Sequence, residues 1–284
     1  MIDLVLAEVR DDGVALLTLN RPDRKNAWSA EMEHRYFGLL DELDRDERVR
    51  AVVLTGSGSS FCPGMDTGRL EQVAGGPLRQ DGRRSPYRPW ALRKPMIAAI
   101  NGGCAGIGLV QALLCDVRFA ARGARLATAF TRRGLAGEYG ITWLLPRLVG
   151  TGVATELLIS GRTVEADEAA ALGLVHRVLE PTELMSFALS YAADLAANCA
   201  PTSMALMRHQ LHLDAGPGLA AALGRSYLAM AHTVADVDLA EGVASMVERR
   251  APSFRPLPDG YDPAAIVGAG SDVPHLRPED LLPS

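Results

Sequence analysis

Two short segments concentrate the residues that could do chemistry. Phe61 to Asp66 reads FCPGMD and follows the apolar run AVVLTG; Asn101 to Gly108 reads NGGCAGIG and follows a second apolar run, MIAAI. In each, a strand-like run ends in a glycine turn that leads into an apparent helix. Glycine reaches positive φ and lets backbone approach a ligand closely. N–H groups at such a helix start point outward and carry partial positive charge. Two of these turns side by side can give two hydrogen bonds to one oxygen, which is what a developing oxyanion needs. A carboxylate downstream, Glu138 in LAGEYG, has apolar company in Leu135, Tyr139 and Trp143. Desolvation there would raise its pKa and suit it to shuttling a proton; the alternative is a surface-turn glutamate. Asp66 reads as fixing its turn or capping the helix after it, and Asp116 as structural. None of the six histidines lies near either glycine turn, so none receives a role.

Elements that must position these residues are legible in the pattern. Residues 4–9 and 14–19 flank Asp12-Gly13, a hairpin signal. Residues 22–27 are turn-rich. Ser29 can cap a helix running to about Arg48, with Glu31 and Glu33 in its first turn, where the helix dipole favours acids. Residues 51–54 and 97–100 are short continuous apolar runs, as in strands buried on both faces, and 117–120 is a further candidate. Strands alternating with helices predict an α/β core. Residues 67–93, rich in Gly, Arg and Pro, suggest a surface helix plus a mobile loop, either an insertion or a lid over substrate. Residues 165–172 should form a helix stopped by Gly173, and 174–179 a last strand. Residues 183–198, 201–213, 218–234 and 237–249 read as amphipathic helices, and the Pro- and Gly-rich end after 254 as extended or partly disordered.

Composition bounds the possibilities. The chain has 284 residues, 48% hydrophobic and 22% charged, enough for a sizeable core. A net charge of -5 disfavours an electrostatic nucleic-acid binder. Cys62, Cys104, Cys115 and Cys199 form no C-x-x-C pair, and no histidine has metal-finger spacing, so buried thiols are expected and no metal site. Residues 96–115 are uncharged over 20 residues, but Asn101, Gln111 and four glycines argue for strand, turn and buried helix rather than a membrane span. The acidic start lacks the basic-then-apolar order of a signal peptide, so the cytoplasm is the expected compartment.

The sequence resembles the crotonase superfamily, the enoyl-CoA hydratase/isomerase family, over nearly its whole length. The motifs that carry the resemblance are NRPDRKNAWS, AVVLTGSGSSFCPGMD, KPMIAAINGGCAGIG followed by Cys115-Asp116, FTRRGLAGEYG, LLPRLVG, SGRTVEADEAAALGLVHRV and EGVASMVERRAPSF. The resemblance implies an α/β spiral of β-β-α units with a C-terminal helical oligomerisation region. It divides the chain into a core with the acyl-CoA site over residues 1–200, a helical trimerisation region over 201–255 and an extended tail over 256–284. It also implies acyl-CoA substrates with coenzyme A as part of the substrate rather than a separate cofactor, and a homotrimer or a dimer of trimers.

Carried over residue by residue, the oxyanion donors are the backbone N–H groups of Met65 and Ile107, set by Gly64 and Gly106. Arg24 and Lys25 match the place where the family meets the CoA ribose-phosphate and diphosphate, with Ala27, Pro63 and Asp66 beside them. Arg132 and Arg133 either touch CoA or form surface or intersubunit salt bridges. The hydratase pattern then fails: counting without gaps places Val110 and Phe130 where hydratases of the family carry two glutamates. Hydration needs a base and an acid around a positioned water. Glu138 matches the position of the single acid in a subset of the family, which resembles the Δ3,Δ2-enoyl-CoA isomerases and the dehalogenases. Enoyl-CoA isomerisation with Glu138 as sole acid/base is therefore the leading expectation. The alternatives are hydration with a non-standard acid/base set and a non-catalytic acyl-CoA-binding oligomer.

Overall fold

The computed structural model describes residues 3–66, 68–69, 88–135, 137, 139–213, 232, 237–238, 241 and 248–267. Most of the 67–93 segment, most of the predicted helices at 218–234 and 237–249, the end of the tail and Glu138 lie outside the described residues.

The chain opens with the expected hairpin. Strands β1 (Val5–Val9) and β2 (Val14–Leu19) pair antiparallel, with Val5 opposite Leu19 and Val9 opposite Ala15. Strands β3 (Ala51–Gly56), β5 (Met96–Ile100), β7 (Val117–Ala121) and β10 (Arg177–Leu179) extend this into a six-stranded sheet of order β1-β2-β3-β5-β7-β10, parallel from β2 onward. A second sheet is made of three-residue strands: β4 (Ser60–Cys62), β6 (Gly103–Ala105), β8 (Arg125–Ala127) and β9 (Thr163–Glu165). Three successive strand pairs, β3–β4, β5–β6 and β7–β8, each place one strand in each sheet, which is the expected spiral. The second sheet was not readable in advance, because three residues carry no period.

The continuous apolar runs have a simple cause: side chains alternate between two buried faces. Val52, Leu54, Met96, Ala98 and Ile100 face the main core, while Ala51, Val53, Ile97, Ala99 and Phe119 face Leu184, Ala188 and Ala192 of one helix, Leu184–Asn198. Three alanines on that helix, Ala188, Ala192 and Ala196, let its backbone come close to the sheet.

Helix α1 (Ala30–Arg45) starts where Ser29 Oγ accepts a hydrogen bond from Met32 N at 3.2 Å. It buries Met32, Tyr36, Phe37 and Leu40 against Trp28. It ends three residues before the expected Arg48. Asp46 is extended and its carboxylate accepts from Arg48 N, while Lys94 Nζ donates to the Leu43 and Asp46 carbonyls at 2.7 and 2.6 Å. The last strand is also shorter than predicted. Leu174 N and Val175 N still bond Ala169 O at the end of the helix Ala166–Ala171, so strand geometry begins only at Arg177.

Residues 96–115 form β5, β6 and helix α2 (Ile107–Leu113), and no helix among the described residues is long and apolar enough to cross a membrane. Two helices come next: α3 (Ile141–Val149), with Pro146 inside it, which periodicity did not reveal, and α4 (Thr151–Ser160), which begins where the pattern turns helical at Thr151. The helix α5 (Pro201–Leu213) has its predicted bounds. Its Arg208 bonds Asp116 at 2.8 Å and the carbonyls of Leu92 and Pro89, and Asp116 also accepts from Met96 N. Asp116 is structural, as expected. After residue 251 the chain runs extended, then forms a short helix at Pro263–Val267 that the tail's composition did not announce.

Candidate active site

The two glycine turns lie against each other. β4 and β6 pair in parallel, Ser60 with Gly103 and Cys62 with Cys104, so both turns emerge at the same end of the second sheet. Gly64 has φ +112° and Gly106 φ +51°, values that favour glycine. A Cβ on Gly64 would stand 3.3 Å from the Ala105 carbonyl oxygen and 3.9 Å from Gly106 Cα. That closeness sets the next residues, Met65 and Ile107, side by side.

Each turn is tied down on both sides of its donor. Trp28 N donates to Gly64 O and Asp66 N donates to Trp28 O, at 2.8 and 3.1 Å. Gly106 N donates to Ala127 O, and Ile107 opens helix α2. Among the described residues, neither the Met65 nor the Ile107 N–H finds an acceptor. These are orphan donors of the kind that every helix start and irregular turn leaves over.

They open on a cavity of about 700 Å³. Its lining includes Gly64, Met65, Gly106 and Ile107 of the two turns, with Arg24, Lys25, Ala27, Pro63 and Asp66, and Ala127 to Phe130, Arg132, Arg133 and Leu135. The structure thus brings together almost every site residue expected from the sequence. Val110 is the exception: it is fully buried in the core and does not line the cavity, whereas Phe130 does. Glu138 is outside the described residues; its neighbours Tyr139 and Gly140 both have positive φ, in the turn that leads into α3.

The charges at this site are unequal. Arg24, Lys25, Arg132 and Arg133 line the cavity against the carboxylates of Asp23 and Asp66. Asp66 is already engaged: Arg21 Nη1 bonds it at 2.6 Å and Gly68 N at 2.9 Å. The Arg21 hydrogen bond holds its carboxyl below the usual range. The lining is therefore net basic, complementary to an anionic group.

Two positioning residues escaped the sequence reading. Asn26 is fully buried with φ +64°. Its amide donates to Ser57 O and Ser60 O at 2.9 and 2.7 Å, and its carbonyl oxygen accepts from Arg21 N at 2.8 Å. It locks the Arg24–Lys25 turn onto the segment that carries the first glycine turn. Asn101 does the same between strands, donating to Gly56 O and Gly58 O. An asparagine next to a turn was the only signal, since Asn tolerates positive φ and mimics backbone hydrogen bonding.

The thiols supply no reactive group to this arrangement, although Cys62 Sγ donates to Gly64 O at 3.9 Å. All four cysteines are free, and burial pushes Cys62 and Cys115 up to about 12. A neutral thiol is a poor nucleophile and a poor metal ligand. The chemistry that the geometry supports is stabilisation of an oxyanion by two main-chain donors in a pocket whose described lining is net basic.

Known proteins share this organisation. The family model for enoyl-CoA hydratase/isomerase matches residues 9–256. The 1,2-epoxyphenylacetyl-CoA isomerase of Escherichia coli is 34% identical, over 89% of this chain and 99% of its own. A short-chain-enoyl-CoA hydratase of Clostridium acetobutylicum is 31% identical, over 85% of this chain and 94% of its own. Among solved structures, an enoyl-CoA hydratase from Mycobacterium marinum superposes with a TM-score of 0.66 at 48% identity, covering 75% of this chain and 99% of that one. On the match to the family model and on these likenesses, the chain belongs to the enoyl-CoA hydratase/isomerase family.

Proposed function

We propose that this protein isomerises an enoyl-CoA, moving a double bond from C3 to C2 with Glu138 as the only acid/base. The observation that carries the reading is the pair of orphan N–H groups on Met65 and Ile107. A thioester oxygen placed between them gains most when it becomes negative, so an enolate is stabilised over the ground state. The Glu138 carboxylate takes the C2 proton, the two donors hold the dienolate oxygen, and the same carboxyl returns the proton at C4. One base suffices for this 1,3-shift.

Phe130 and Val110 support the choice over ordinary hydration, since neither carries a carboxylate where the hydratase pair would stand. The described carboxylates on the cavity wall offer no substitute: Asp66 is committed to Arg21, and Asp23 sits in the exposed turn beside Arg24. Arg24 and Lys25, with Arg132 and Arg133 opposite, suit the CoA phosphates, and coenzyme A arrives as part of the substrate. No separate cofactor enters the scheme.

The test is conversion of a 3-enoyl-CoA to its 2-trans isomer by the wild-type chain and by Glu138→Gln. The variant should lose at least ~100-fold in kcat, with thioester binding kept. Full activity in Glu138→Gln refutes the single-base scheme. Hydration of crotonyl-CoA without isomerisation would replace it by the hydratase reading, and binding without any product by the non-catalytic one.

A further inference from the structure

We propose that Glu33, a buried carboxylate outside the cavity lining, is a positioning residue for the first oxyanion donor and acts through the indole of Trp28. This deepens the acyl-CoA reading and rests on it. The Met65 N–H and the Gly64 carbonyl belong to one planar, trans peptide unit, so they point to opposite sides. Whatever grips that carbonyl also aims that N–H. Trp28 N donates to Gly64 O at 2.8 Å, whereas Cys62 Sγ stands 3.9 Å from the same oxygen. A hydrogen bond at the carbonyl also polarises the unit and strengthens its N–H as a donor. Asp66 N donates back to Trp28 O at 3.1 Å, so Trp28 brackets Met65 on both sides. The second donor is aimed differently: the carbonyl of its peptide unit, Gly106 O, accepts from Val110 N at 3.1 Å in the first turn of α2. Trp28 does for the first donor what a helix does for the second.

Trp28 must then be fixed itself. It is fully buried and meets Tyr36 and Phe37 edge to face, with centroids 5.3 and 6.4 Å away. Its Nε1–H donates to Glu33 Oε2 at 3.0 Å. Ser29 is the N-cap of α1, so Trp28 precedes the cap and Glu33 is the fourth residue of the helix. Those two positions often hold a pair of apolar side chains that fixes how the chain enters a helix. Here a hydrogen bond takes the place of that contact, with Glu33 only 6% exposed. Arg69 Nη1, 3.2 Å from the same carboxylate oxygen, supplies the opposite charge. Arg69 follows the first glycine turn, so the path closes on itself through Glu33 and Trp28. For packing alone an apolar pair would serve without desolvating a charge. What the carboxylate adds is direction, because it holds the indole in one orientation.

Vibrational spectroscopy of acetyl-CoA, isotope-labelled at the thioester carbonyl and bound to the full chain, tests this. Two donors on the thioester oxygen weaken its C=O bond and lower the stretching frequency relative to the free ligand, with no turnover needed. Glu33→Gln and Glu33→Met both remove the charge that faces Arg69, but only the first still accepts from the indole. Glu33→Gln should keep the wild-type shift. Glu33→Met should lose about half of it, as one of two donors turns away. In the 3-enoyl-CoA assay Glu33→Met should lose about tenfold in kcat with KM nearly unchanged, part of the loss that follows removal of a donor. Trp28→Phe, which keeps a buried ring without the N–H, should match Glu33→Met and reads the same contact should that variant fail to fold. A wild-type shift in both Glu33→Met and Trp28→Phe overturns the proposal. An equal loss in Glu33→Gln and Glu33→Met also overturns it, since the effect would then belong to the ion pair with Arg69. A wild-type chain that binds acetyl-CoA without any shift overturns the oxyanion assignment instead, and one that does not bind it overturns the acyl-CoA reading.

Discussion

Replacing Gly64 by alanine puts the oxyanion geometry under direct stress. At φ +112° an L-residue is strained, at a cost of roughly 1–3 kcal/mol. The added Cβ would also lie 3.3 Å from the Ala105 carbonyl oxygen, tighter than ordinary van der Waals contact. Both stresses relax by rotating the turn away from Gly106, and the Met65 N–H, on the very next residue, moves with it. Loss of one oxyanion donor costs about 2.7–4 kcal/mol of transition-state stabilisation, or roughly 100- to 1000-fold in kcat. Gly123 supplies the control: it has φ +84° in the turn between β7 and β8, and a Cβ there would meet nothing within 4 Å. Gly123→Ala therefore carries comparable backbone strain without touching the site. Both variants should melt a few degrees below wild type, at about 2–4 °C per kcal/mol for a chain of this size. In the 3-enoyl-CoA isomerisation assay, Gly64→Ala should fall at least ~100-fold and Gly123→Ala less than about twofold. A folded Gly64→Ala protein that keeps a third of the wild-type rate would refute the assignment of the Met65 N–H.

Two further predictions concern stability. Asn26→Ala strips buried hydrogen bonds from Ser57 O, Ser60 O and Arg21 N. It should cost about 2–4 kcal/mol in urea unfolding and raise the KM for CoA thioesters as the Arg24–Lys25 turn loosens; an unchanged unfolding midpoint would count against the role given to this asparagine. His212, held down to about 3 by burial, stays neutral in the native protein at pH values where the unfolded chain, near 6.5, takes up a proton. The unfolded state then binds more protons between those two pH values, so stability rises with pH across that window and is lost on acidification. Going from about pH 6.5 to about pH 5 should cost about 1–2 kcal/mol after allowing for the ring's partial exposure. His212→Phe, which keeps a ring beside Trp90, should remove that part of the acid sensitivity; an identical pH profile in the variant would refute it.

What the sequence determined by itself was whatever local chemistry enforces. Runs such as AVVLTG and MIAAI read as strands buried on both faces, because they are short, continuously apolar and followed by glycine turns. Ser29 caps α1, Asp12-Gly13 turns the hairpin and Gly173 stops a helix, each through its own backbone preference. The order of the two glycine turns, each after its strand, pointed to paired oxyanion donors for the same reason. Only the tertiary structure decided what depends on residues far apart in the chain. Counting placed Val110 and Phe130 as equivalents, and both are buried in the core, yet only Phe130 also lines the cavity, since direction is set by packing. Asn26 reveals its purpose only when Ser57 and Ser60 arrive beside it. Trp90, Trp143 and His212 come from three elements that share no sequence pattern, and only the packing of the helix Pro201–Leu213 on the core brings their rings into contact. Backbone conformation is a local choice and can be read from neighbours, whereas a pocket is a meeting of surfaces that exists only after the chain has closed.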